Sequence, residues 1–152
     1  MMSVCPAKEK EEVIAYFKDR FGIEDSAFAG YSFYDGGKGR IYLGPLQIPA
    51  RPPAVCAGLT IARMDEAVKP TTNILQLWGD RIKKNFVSVG KEKALKFMNG
   101  EDITVSGNEV EHATDGYVVI RYLDFSLGCG LLKVGKIKNM LPKVKRLVVK
   151  HL

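Results

Sequence analysis

The chain has 152 residues, is 46% apolar and 26% charged, and carries a net charge of +6. This is a globular composition that excludes a disordered chain and bounds the fold to one ordinary domain or two small ones. Three scattered cysteines (Cys5, Cys56, Cys129) and two histidines (His112, His151) argue against a disulfide framework and against a zinc or other metal site.

The charge is uneven. Residues 1–83 hold 11 Lys/Arg against 10 Asp/Glu, a net of +1, while residues 84–152 hold 12 against 7, a net of +5. Such a skew favours phosphate-bearing partners, although a solvated lysine face would give the same count. The start MMSVCPAKEK has neither a signal-peptide core nor an arginine-rich amphipathic run. No apolar stretch approaches the roughly 20 residues that span a bilayer. The expectation is a cytoplasmic protein without membrane contact, its thiols reduced.

In chain order, Ala7–Phe21 reads as an amphipathic helix, with Val13, Ile14, Phe17 and Phe21 on one face and Gly22 as its stop. Phe28–Tyr34 and Arg40–Leu43 flank Asp35-Gly36-Gly37-Lys38-Gly39 and predict a hairpin. The glycines and Lys38 lack the spacing and the following helix of a phosphate loop, so a tight turn is the better reading. Residues 45–53 are proline-rich and irregular, and Val55–Ala62 is a buried-strand candidate. Pro70 opens a predicted helix carrying Ile74, Leu75, Leu77 and Trp78, with Trp78 read as core. Phe86–Val89 predicts a strand, and Lys91–Met98 a short helix with Leu95, Phe97 and Met98 inward, closed by Gly100. Strands are expected at Ile103–Val105, Tyr117–Leu123, Leu127–Val134 and Arg146–Val149, with Lys138-Asn139 in a loop. The boundary is placed near residues 82–86, giving a first part over 1–83 and a β-rich second part over 84–152.

No catalytic constellation can be assembled. There is no G-x-S-x-G elbow and no H-E-x-x-H. Cys129 with His112 lacks an orienting third group, so a small buried thiol between two glycines is preferred. Asp65-Glu66 reads as a charged loop. No cofactor is implied.

The segment Asp115–Arg146 is the most informative. After Asp124 no acidic residue follows, whereas Lys133, Lys136, Lys138, Lys143, Lys145 and Arg146 do. Lysines and Arg146 supply charge that displaces counterions from a phosphate backbone. Gly128 and Gly130 would let backbone amides approach a phosphate. Asn139 offers a donor and an acceptor to a base edge or a ribose hydroxyl. Arg121 is a rim candidate. Tyr122 is read either as a base-stacking ring or as packing against the β unit.

An ordered series of motifs runs through this half. It comprises Leu95-Lys96-Phe97-Met98-Asn99-Gly100-Glu101, Gly116-Tyr117-Val118, Phe125-Ser126-Leu127-Gly128-Cys129-Gly130 and Lys138-Asn139-Met140-Leu141-Pro142-Lys143. In it the chain resembles the PUA-like RNA-binding region at the C-terminus of RsmF-type RNA 5-methylcytosine methyltransferases. Upstream, Gly39–Leu43, Gly58-Leu59 and Lys69-Pro70-Thr71 resemble the piece that precedes that domain. Cys129 stands where the family often has tryptophan, and Met140-Leu141 where aromatic residues or histidine are common. The family's methyltransferase domain is not in this sequence.

The resemblance implies an α+β protein, an N-terminal α/β subdomain followed by a PUA-like β-barrel. It implies binding of structured RNA, rRNA or tRNA, in RNA modification or ribosome biogenesis, without catalysis. The expected RNA-binding residues are Arg121, Gly128, Gly130, Lys133, Lys138, Asn139, Lys143 and Arg146. The alternative is a protein-interaction subunit that recruits a separate methyltransferase or joins a ribosome-assembly complex, using the surface near Leu46–Pro53.

Overall fold

The structure is a computed structural model that describes residues 3–46 and 58–146. Cys56, His151, residues 47–53 of the proline-rich surface, residues 55–57 of one expected strand and residues 147–149 of another lie outside the described residues. The fold is mixed α+β and divides into two compact units, Met1–Ile74 and Leu75–Leu152.

The first unit opens with β1 (Ser3–Val4) and α1 (Ala7–Phe21), followed by β2 (Ser32–Asp35), β3 (Arg40–Gly44), β4 (Leu59–Met64) and β5 (Val68–Pro70). These strands form one antiparallel sheet in the order β1-β2-β3-β4-β5. Helix α1 ends as its sequence predicts, with Gly22 left-handed at φ 71° and its amide donating to the carbonyls of Lys18 and Phe17. Its buried face is Val13, Phe17 and Phe21. The Phe17 ring lies 6.2 Å from Phe28, which lies 5.5 Å from Phe33 on β2. A chain of rings thus joins helix to sheet.

The glycine-rich β2–β3 connection is a turn, as its spacing suggested. The Gly37 amide donates to Asp35 Oδ1 at 2.8 Å and the Gly36 amide to the Arg40 carbonyl at 2.9 Å. Gly39, at φ 76°, brings its backbone so close to the Met64 carbonyl that a Cβ would collide with it.

Cys5 is a buried free thiol. Desolvation, followed by the charge of Glu9, pushes its pKa up to about 11. An unfolded thiol ionises near 9, so the folded state binds the extra proton between those values, and stability falls as pH rises through that window. Cys5 is expected to resist alkylation by iodoacetamide at pH 7.5 in the folded protein and to react once it is unfolded, measured by mass spectrometry.

Helix α2 (Thr72–Leu77) is shorter than the sequence suggests. Pro70 ends β5 instead of opening the helix, and Thr71 Oγ1 caps it by accepting the Ile74 amide at 3.3 Å. After Trp78 a 3₁₀ turn (Gly79–Arg81) takes over. Ile74, Leu75 and Trp78 are buried as expected, but Leu77 is exposed.

The second unit contains β6 (Phe86–Ser88), α3 (Lys91–Met98), β7 (Ile103–Thr104), β8 (Gly116–Tyr122), β9 (Phe125–Lys133) and β10 (Lys136–Asn139). Its sheet runs β6-β8-β9-β10-β7, with β6 parallel to β8 and the other pairs antiparallel. The core gathers Val87, Phe97, Val118, Ile120, Leu132, Ile137 and Leu141. Ala94 and Phe97 are the fully buried residues of α3, while Leu95 and Met98 are half-buried. Val118 and Ile120 point inward from β8 and Ile137 from β10, and Val119 on the opposite face of β8 is buried as well, so β8 is covered on both faces there while β10 alternates buried and exposed. A bulge re-aims β9, where the pairing steps from Ile120↔Gly128 to Arg121↔Ser126 and leaves Leu127 over.

One expectation is corrected here. The Lys138-Asn139 segment is strand β10, not a loop. The two compact units divide between Ile74 and Leu75. Gln76 donates to the Leu127 carbonyl at 2.9 Å, and the carbonyls of Gly79 and Ile82 accept from Arg121, so these residues belong with β8 and β9.

Candidate nucleic-acid interface

The β9–β10 hairpin decides where the basic residues go. Lys136, Ile137, Lys138 and Asn139 alternate exposed and buried along β10. Ile137 enters the core, so Lys136 and Lys138 must share the outer face. Lys136 stands directly opposite Lys133 on β9 and opposite Thr104 on β7, and Lys138 stands opposite Leu131. These side chains, with Asp102, Ile103 and Ile137, line a groove of about 550 Å³.

Like charges facing each other across a ladder are destabilising. Among the described residues no carboxylate lies within ion-pair distance of Lys133, Lys136 or Lys138. Asp102, the acid in the groove, accepts the Asn139 backbone amide at 2.8 Å. The groove is therefore net positive, three lysines against Asp102, with an aliphatic floor at Leu131.

The remaining sequence-predicted residues have other work. Asn139 is buried, and its Nδ2 donates to the carbonyls of Phe97 at 2.7 Å and Glu101 at 2.9 Å. Its Oδ1 accepts the Leu141 amide at 2.9 Å. It ties β10 to the Phe97 carbonyl in the last turn of α3, which also accepts the Gly100 amide, and to the Glu101 carbonyl just beyond the helix. Its amide is turned inward, which corrects the reading of Asn139 as a base or ribose contact.

Gly128 and Gly130 are also corrected. Both lie buried in β9, a central strand with partners on either side, and Gly130 pairs with Val118 and with Asn139. The Gly130 backbone is committed to the sheet on both sides, and Gly128 is paired with Ile120 on β8. Gly130 lacks a side chain because Ile137 Cγ2 occupies the space a Cβ would need. Gly130→Ala is expected to lower stability by about 2 kcal/mol, read from the denaturant midpoint, because the overlap is with a buried side chain that cannot swing away.

Arg121 is not a free rim cation. Its Nη2 donates to the carbonyls of Gly79 at 2.7 Å and Ile82 at 2.8 Å, and its guanidinium lies 4.2 Å from the Phe86 ring centroid. Burial lowers its pKa from the ordinary value. The Phe86 ring also stacks on His112 at 4.9 Å. Tyr122 is half-buried against the core cluster.

Lys143 is exposed at the start of a 3₁₀ turn (Lys143–Lys145). Arg146 is half-buried, donates Nε to the Leu141 carbonyl at 3.1 Å, and packs over Gly100. Lys145 donates to Gln76 Oε1 at 2.9 Å. Cys129 is 1% exposed, as a buried thiol should be. Among the described residues no cluster of His, Cys, Asp and Glu is placed to hold a metal, and no helix is long and apolar enough to cross a membrane.

Of the eight predicted residues, the structure brings Lys133 and Lys138 together on one surface. It adds Lys136, absent from the predicted set. The alternation Lys-Ile-Lys-Asn after a two-residue turn was the signal that could have found it.

Residues 84–147 match the family described as the methyltransferase RsmF PUA domain. Residues 4–54 match a family of unknown function (DUF7122). The chain is 30% identical over 145 residues to a ribosomal RNA small subunit methyltransferase F from Aeromonas hydrophila. That alignment covers 91% of this chain and 28% of the relative, so the chain spans just over a quarter of its length. The fold is similar to that of a conserved PUA domain protein from Thermoplasma acidophilum, with a TM-score of 0.62, 12% identity, and coverage of 95% of this chain and 97% of that one. Over residues 84–147 the chain thus matches the PUA domain of RsmF-type methyltransferases.

Proposed function

We propose that this chain is an RNA-binding module that docks structured RNA on the outer face of β9 and β10 and acts in RNA modification or ribosome assembly. The carrying observation is the groove rimmed by Lys133, Lys136 and Lys138, three lysines without acidic partners among the described residues. A phosphate backbone would relieve their mutual repulsion and release its own counterions. Lys143 would extend the contact along the acid-free C-terminal segment. The name of the matched relative, a small-subunit rRNA methyltransferase, favours rRNA over tRNA as the ligand. The reading is one of binding and positioning rather than chemistry, supported by an alignment that covers 28% of the methyltransferase relative and by the burial of Cys129, the thiol considered as a nucleophile. A filter-binding titration of an rRNA hairpin from 50 to 300 mM salt tests the reading. Affinity should fall log-linearly and steeply, whereas an absence of binding at 50 mM would remove the assignment.

A second reading rests on the β8–β9 turn, where Leu123 and Phe125 are 72% and 65% exposed. There the chain would act as a subunit that recruits a separate methyltransferase or an assembly protein. It gains if Leu123→Ser with Phe125→Ser releases a co-purifying methyltransferase while the lysine substitutions leave function intact.

A further inference from the structure

The two-residue connection between β9 and β10 is Val134-Gly135, with φ 46° and 75°. Both central residues lie in the left-handed region, the geometry that Asn-Gly supplies without strain. Valine is a poor choice here, because a β-branched side chain at positive φ crowds its own backbone. Its side chain is 82% exposed, so little packing offsets the strain.

The turn is nonetheless held rigidly. The Val134 amide donates to Asp115 Oδ1 at 3.2 Å, and the Gly135 carbonyl accepts the Val105 amide at 2.8 Å. On either side stand Lys133 and Lys136, which face each other across the hairpin and line the groove. An apolar tip is thus presented, fixed and strained, between two cations. Leu123 in the β8–β9 turn is a second exposed apolar residue at positive φ, but Val134 alone stands between two groove lysines, which makes it the candidate functional position.

We propose that Val134 is an apolar finger that packs against the exposed face of an unpaired base in the bound RNA, while Lys133 and Lys136 hold the phosphates on either side. This rests on the RNA reading and adds the element recognised, an unstacked nucleotide rather than a continuous duplex. The chemistry fits, because a nucleobase face is apolar and is bordered by anions, the complement of a valine between two lysines. Apolar side chains that unstack bases act in the same way in nucleic-acid complexes. In a continuous duplex the base faces are stacked and closed to such a contact.

The test uses an RNA hairpin with one unpaired 2-aminopurine and its fully paired counterpart, titrated with the full chain. Val134→Asn should raise the unfolding midpoint by about 2–4 °C by relieving the backbone. It should also weaken binding to the bulged hairpin by about threefold to tenfold, with less than about a twofold change for the paired one. Val134→Thr keeps the β-branch and its strain but replaces a methyl by a hydroxyl, and should lose affinity without gaining stability. The 2-aminopurine emission should rise on binding of the native chain and stay low with Val134→Asn.

Equal affinity of Val134→Asn and the native chain for the bulged hairpin would overturn the finger. If the lysine substitutions still abolished binding, the RNA reading would stand. A native chain that binds neither hairpin would remove both. An unchanged unfolding midpoint in Val134→Asn would show that the turn is unstrained and remove the premise.

Discussion

Replacing Lys133, Lys136 and Lys138 together by alanine is expected to abolish most RNA affinity at physiological salt while leaving the fold intact. All three are exposed on the outer face of β9 and β10, so their removal opens no cavity. It also removes the Lys133–Lys136 repulsion, so the unfolding midpoint should hold or rise slightly. Each lysine that neutralises a phosphate contributes about 0.7–0.9 to the slope of log affinity against log salt. The triple substitution should therefore make that slope shallower by about 2. Single substitutions should each remove part of that change and act alike on different RNA sequences, because a phosphate contact carries no base identity. An unchanged slope would place the charge contact elsewhere on the chain.

Asn139→Ala should do the reverse, with a large loss of stability and little change in RNA affinity of the folded protein. Removing the amide takes the Asn139 partners away from the part-buried Glu101 carbonyl and the buried Leu141 amide, while the Phe97 carbonyl keeps the Gly100 amide. Each unsatisfied buried group costs about 1–3 kcal/mol. With water reaching the Glu101 carbonyl, a total of about 2–3 kcal/mol is expected from denaturant unfolding. Binding should be measured where the variant remains folded. A weakened affinity there, with stability unchanged, would restore Asn139 to the RNA surface.

These two residues are neighbours in sequence, Lys138 and Asn139, yet they have opposite roles. A strand sends adjacent side chains to opposite faces, so recognising β10 as a strand separates them. From sequence alone the segment reads as a loop because it is four residues long and follows a turn that lacks the usual Asn-Gly.

Helices α1 and α3 are legible to the residue because local periodicity and a following glycine or asparagine define them. The partners of Asn139 and Arg121 are not legible. The side chain of Asn139 reaches groups 38 and 42 positions away, and that of Arg121 reaches groups 39 and 42 away. No short window contains such pairs. Gly130 illustrates the same point. Its flexibility suggested a phosphate contact, but its small size is needed because Ile137 packs across it. The lysines of the groove were legible in part. The absence of acids after Asp124 marks the segment, and the pleat selects which lysines face outward.

The lysine groove also separates the two readings of the second unit. Lys133, Lys136 and Lys138 stand on the β9–β10 part of the sheet, whereas the exposed apolar Leu123 and Phe125 belong to the β8–β9 turn. Binding of RNA and of a protein partner would therefore respond to different substitutions.

The most direct measurement is an amide chemical-shift map of the full chain titrated with an rRNA hairpin at low salt. The RNA-contact assignment predicts the largest changes at Lys133, Val134, Lys136 and Lys138, extending to Lys143, with small ones at Leu123, Asp124 and throughout α1. Changes centred on the β8–β9 turn or on the first unit, with the β9–β10 hairpin silent, would contradict it.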